Sequence, residues 1–151
     1  MNWLILAGTV VVLLWPNIAL WNERELTEAD LVDISPKYQG LNGKLLRHVI
    51  AEASVMAILF APLIFSSILS ESQRTGIMTA CVIGAIGAIG LLDAWFAHNL
   101  GVYPAAKYFG LRSRYTYSGT GKVGRVAKYQ MGLTATLVGV AIVYFLIVMF
   151  R

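Results

Sequence analysis

The sequence predicts an all-α integral membrane protein, a bundle of four transmembrane helices with its N and C termini on the non-cytoplasmic side. Three observations carry this. Apolar residues fill 58% of the 151 positions and charged residues only 13%, against roughly 25% charged in ordinary soluble domains. Four apolar stretches are long enough to cross a hydrocarbon core, which takes about 20 helical residues. Basic residues fall almost wholly on one side of the resulting layout. A soluble domain this small would leave much of that apolar surface in water, whereas lipid covers it.

The first span is expected over residues 3–20, framed by Trp3 and Trp21 as an interfacial belt would be, with Pro16 expected to kink it. No base precedes this run and no small-x-small cleavage site follows, so an anchor is expected rather than a signal peptide. The other spans are expected over 48–69, 76–97 and 130–150. Residues 71–75 form a short connector, which makes spans two and three an antiparallel hairpin. The two long connectors, 21–47 and 98–129, then share one side. They hold Arg24, Lys37, Lys44, Arg47, Lys107, Arg112, Arg114, Lys122, Arg125 and Lys128, while only Arg74 and Arg151 lie opposite. Ten bases against two place the long connectors in the cytoplasm. A bacterial or archaeal cytoplasmic membrane is expected, with an organellar membrane as the alternative. Cys81 is the single cysteine, so an intrachain disulfide or thiolate cluster is excluded.

The first connector carries five acids, Glu23, Glu25, Glu28, Asp30 and Asp33. Its Thr27-Glu28-Ala29-Asp30 run resembles a capping box and predicts a short interfacial helix ending before Pro36. The acidic face of that helix is suited to docking on the second connector; a solvated loop is the alternative. The second connector has no acid and six bases, Lys107, Arg112, Arg114, Lys122, Arg125 and Lys128, interleaved with tyrosines. These bases are expected to bind anionic lipid headgroups, each contributing about 1 kcal/mol near the surface. A bound anionic substrate or partner protein is the sharper alternative, and nucleic acid is not expected. The run Ser118-Gly119-Thr120-Gly121-Lys122-Val123-Gly124 superficially resembles a phosphate loop. It lacks the four-residue glycine spacing and the hydroxyl after the lysine; helices are expected on both sides, and a turn is expected here.

Ionisable residues within spans are functional candidates by default. His48 and Glu52 share a helical face four residues apart, while Asp93 and His98 fall at the end of span three, at a similar depth. Such a group can relay protons, bind a metal or form a structural polar network. The network is the expected reading, with no metal and no cofactor assigned. Gly84, Gly87 and Gly90 form a small-residue face for close helix packing. Span four carries no ionisable group.

The layout is similar to that of the MAPEG family of small membrane enzymes. Gly40-Leu41-Asn42-Gly43-Lys44-Leu45-Leu46-Arg47 is similar to the approach to that family's second helix, and His98-Asn99-Leu100-Gly101-Val102-Tyr103-Pro104 to its third-helix exit. The resemblance implies a lipophilic substrate and glutathione, held by Arg47, His48 and Glu52. The chain departs from the family's Arg-x-His-x-Asn-x-x-Glu pattern, because Arg47 and His48 are adjacent and no Asn precedes Glu52. The leading expectation is therefore a non-catalytic accessory subunit of a larger membrane complex, of respiratory, photosynthetic or monooxygenase type, packed against other transmembrane subunits. A MAPEG-like enzyme is the alternative, and a small transporter or channel using Glu52 and Asp93 is the third.

Overall fold

The computed structural model describes residues 3–104 and 113–150. Five α-helices dominate: α1 (Trp3–Ala19), α2 (Glu28–Ile34), α3 (Leu41–Phe60), α4 (Glu71–Leu100) and α5 (Lys122–Met149). Three of them are long and apolar enough to cross a membrane: α3 with the first residues beyond it, α4 and α5. The fourth expected span is the exception. Helix α1 has 17 residues, about 25 Å at 1.5 Å per residue.

The expected boundaries shift for local reasons. Residues 71–75 are not a connector but the first turns of α4, because the Ser70 side chain accepts from the Gln73 backbone N–H and Gln73 reciprocates. Helix α3 gives way to a 3-10 segment, Ala61–Ile68, where Pro62 has no N–H to continue the ladder. A 3-10 bond from position 62 would end on the Leu59 carbonyl. That carbonyl instead accepts from the Cys81 thiol of α4 at 2.9 Å.

Pro16 does the same to α1. The helix runs through it to Ala19, but the Val12 carbonyl loses its i+4 donor. The Gln130 side-chain amide of α5 donates to that carbonyl at 2.9 Å. A carbonyl stripped of its helical donor and shielded from water depends on such a neighbour.

Helices α4 and α5 approach closely because α4 presents glycine. A Cβ at Gly87 would lie 3.1 Å from the Thr134 carbonyl oxygen and 3.0 Å from a Val138 methyl. At Gly90 it would meet the Thr134 methyl at 2.7 Å. Gly84 faces Ala141 of α5 and Leu59 of α3. The small-residue face is thus occupied within the chain.

The all-α expectation is modified where the connectors meet. Three short strands, β1 (Arg24–Thr27), β2 (Val102–Pro104) and β3 (Arg114–Tyr117), form an antiparallel sheet in the order β1-β3-β2. Leu26 lies opposite Tyr115 and Val102 opposite Tyr117. Pro104 sits on an edge strand, where its missing N–H is tolerated. The sheet ties both connectors to one end of the bundle and separates two cores. Leu26, Val102 and Tyr115 pack with Leu31, Tyr38, Leu41, Leu45 and Phe96, while Tyr103 packs with Leu20, Ala97, Val123 and Ala127. Gly101, at φ +73°, makes the left-handed turn from α4 into β2.

Helix α2 is the short helix expected, with its Thr27–Asp30 capping box formed. The Thr27 hydroxyl and backbone N–H hold the Asp30 carboxyl below its ordinary range. Glu28 reaches across to start α3, accepting from the Leu41 and Asn42 backbone N–H groups at 2.6 and 3.1 Å. The N-cap residue of α3, Gly40, has no side chain to do this. Tyr115 donates its hydroxyl to Asn42 at 3.0 Å. Burial and then the Glu28 charge push the Tyr115 hydroxyl up to about 12.

Three outcomes follow from this packing. Gly87→Ala should lower the stability of the detergent-solubilised protein by about 1–3 kcal/mol, read as a fall in Tm. Gly139→Ala, where a Cβ meets nothing within 4 Å, should not. Gln130→Leu should cost about 1–3 kcal/mol by orphaning the Val12 carbonyl; in the Pro16→Ala background, where a backbone N–H returns, the loss should largely vanish. Because the Tyr115 pKa is raised on folding, its contribution is complete below the ordinary tyrosine range and is lost as pH rises through about 12. Alkaline titration should therefore show late tyrosinate absorbance accompanied by loss of structure, and Tyr115→Phe should lower its amplitude by one tyrosine, the buried Tyr103 still titrating late.

Candidate functional site

One face of α3 is buried only in its first half, at Leu41, Leu45, His48 and Glu52. These residues recur at four- and three-residue spacing, the seam of one helix on another. Farther along α3 no residue is buried, so the helix diverges from its neighbours and a groove opens.

Three of the four candidate residues meet in that seam. The His48 Nε2 atom lies 2.9 Å from Asp93 Oδ1 of α4 and 3.3 Å from Glu52 Oε1. One donor atom from each residue falls within 4.8 Å of the others. His48 and Glu52 are buried, 6% and 7% exposed, while Asp93 is half-buried. The Phe96 ring lies against the imidazole, centroids 4.9 Å apart and planes tilted by 38°, which limits rotation of the ring. His98, the fourth candidate, is exposed on α4 and outside the group.

The seam has two grooves on the same face of α3. The first, about 330 Å³, is lined by Lys44, Arg47, His48, Ala51, Trp95 and Asn99, among others. The second, about 410 Å³, is apolar and bounded by α3, α4 and α5, with Val55, Ile58, Pro62, Cys81, Gly84 and Ala88 among its walls. Lys44, Arg47, Ala51, Val55, Ile58 and Pro62 follow one another at helical spacing. They therefore form a single stripe that is cationic at the sheet end and apolar beyond. Tyr103 of β2 lies in the other core, with Leu20, Ala97 and Val123; burial, followed by the Asp93 charge, raises its hydroxyl above the ordinary tyrosine range.

Among the described residues, the bases of the second connector do not converge on one point. Lys107 and Arg112 lie outside the described residues. Arg114 is exposed on β3, opposite Thr27. Lys122 pairs with Glu23 of the first connector at 3.1 Å, joining the acidic and basic connectors. Arg125 donates to the Thr120 carbonyl, and Lys128 is exposed. The phosphate-loop-like run follows a strand, contrary to the expectation of helices on both sides, but that strand belongs to the antiparallel sheet. Its lysine meets a carboxylate, and Ser118 and Thr120 bond to each other at 2.8 Å.

Lys44, Trp95, Phe96 and the apolar groove were not singled out from the sequence. The helical spacing of Lys44, Arg47 and His48 was the available signal for the cationic edge. Divergence of α3 from α4 leaves no such trace. Comparison of the chain with protein-family models, curated proteins and solved structures gave no match.

Proposed function

We propose that this chain is a four-span membrane protein that binds an anionic amphiphile along the α3/α4 seam. The observation that carries the reading is the stripe itself: Lys44 and Arg47 at one end, an apolar groove bounded by Val55, Ile58, Cys81 and Ala88 at the other. A headgroup pairs with the two cations while its chain lies in the groove. In this reading α1, α3, α4 and α5 all cross, and the sheet faces the cytoplasm. The ten-to-two distribution of bases supports that orientation, as does the sheet that draws both long connectors to one end. The polar group of His48, Glu52 and Asp93 then lies at headgroup depth.

A second reading, an accessory subunit in a larger assembly, draws support from α5. The Gly84–Gly90 face is already filled by α5, so it requires no outside helix. Gly132, Thr136 and Gly139 form another small-residue stripe, and a Cβ at either of these glycines would meet nothing within 4 Å. Such a face lets a second backbone approach.

Trp95, 55% exposed at the cationic edge, supplies a probe. In nanodiscs, brominated phosphatidylglycerol should quench it more than brominated phosphatidylcholine, and Trp95→Phe should remove the difference. Lys44→Gln with Arg47→Gln should lower the preference, by roughly fivefold per base at about 1 kcal/mol each. Equal quenching by both lipids would count against the reading. Displacement by free glutathione would instead favour the MAPEG-like enzyme. For the second reading, Gly139→Leu should reduce inter-chain cross-linking in native membranes, and unchanged cross-linking would rule that face out.

A further inference from the structure

We infer that His48, Glu52 and Asp93 form a binding site for a first-row divalent metal ion at the α3/α4 seam. The inference stands on the geometry of these three side chains and not on the amphiphile. An imidazole nitrogen and two carboxylate oxygens, each on a separate residue, present donor atoms within 4.8 Å of one another. His48 and Glu52 project from one face of α3 at i and i+4, the spacing that lets one helix give two ligands to one ion. Asp93 closes the set from α4.

The ring nitrogen faces both carboxylates. Nε2 carries at most one hydrogen, yet it lies 2.9 Å from Asp93 and 3.3 Å from Glu52. Small side-chain adjustments bring these three donors to the about 2.0–2.2 Å that a first-row ion requires. A neutral imidazole and two carboxylates also balance a divalent charge in a site where two of the three ligands are buried. One nitrogen and two oxygens fit zinc, iron or manganese better than a thiolate-seeking ion. Three protein ligands leave a coordination position for water or a ligand, and His48 itself lines the Lys44/Arg47 groove.

The probes are Zn2+ and Co2+ added to the full-length protein in detergent after chelator dialysis. Titration calorimetry should give about one Zn2+ per chain, and Co2+ should develop visible d–d absorption that Zn2+ bleaches. Asp93→Asn and Glu52→Gln, which keep side-chain size, should each weaken binding roughly tenfold or more, and His48→Ala should abolish the Co2+ spectrum. His98→Ala, outside the group, should leave both readouts unchanged. Absence of Zn2+ binding to the wild type would overturn the site, whatever the variants do. Binding lost in His98→Ala, or kept in Asp93→Asn and His48→Ala together, would identify an adventitious surface ion and overturn it equally. Neither result bears on Trp95 quenching by anionic lipid, so the two readings fail separately.

Discussion

A backbone carbonyl that loses its helical donor away from water needs another from the protein, and two prolines make that constraint acute. Pro16 releases the Val12 carbonyl of α1 and Pro62 releases the Leu59 carbonyl of α3. Gln130 of α5 and Cys81 of α4 supply the missing donors. The first repair requires that the Gln130 side chain lie between helices, and Gly90 leaves the room: a Cβ there would fall 3.5 Å from the Gln130 amide nitrogen. Proline, glycine and the two polar side chains thus form one arrangement. It holds α1 on α5, α5 on α4, and α4 on the far end of α3.

The second organising feature is the cap at the sheet end. Glu28 starts α3, Tyr115 reaches Asn42, and the sheet seals a core on each face. This fixes where α3 begins and so the height at which His48 meets Asp93. Past Glu52 no residue of α3 is buried, and the apolar groove lies along this stretch as far as Leu59, Pro62 and Cys81. The polar group and the apolar channel follow from one helix being fastened at both ends and loose between.

Much of this was legible in the sequence. Hydropathy located three long apolar helices, the Thr27–Asp30 spacing located α2, and four-residue spacing placed His48 beside Glu52. The sheet was not legible. Its strands have three or four residues, and β1 pairs with a strand some ninety positions away, so no local pattern reports the pairing. The alternation in Arg114-Tyr115-Thr116-Tyr117 was the one hint, and the tyrosines also suited a membrane interface. Helix boundaries slipped because caps, not hydropathy, set them: Ser70 and Gln73 begin α4 within a polar stretch. The exclusion of His98 from the group depends on where its side chain points around α4, which spacing along the chain does not give.

The α3/α4 seam is the proposed seat of an anionic amphiphile. Photo-cross-linking with an anionic lipid bearing a diazirine on its acyl chain tests it by location. The account predicts labelling concentrated on the residues around Val55–Pro62 and Cys81–Ala88, above that on the outer face of α5 around Val140–Ile147, and reduced for the zwitterionic analogue. Uniform labelling of all lipid-facing surfaces, the same for both headgroups, would contradict it.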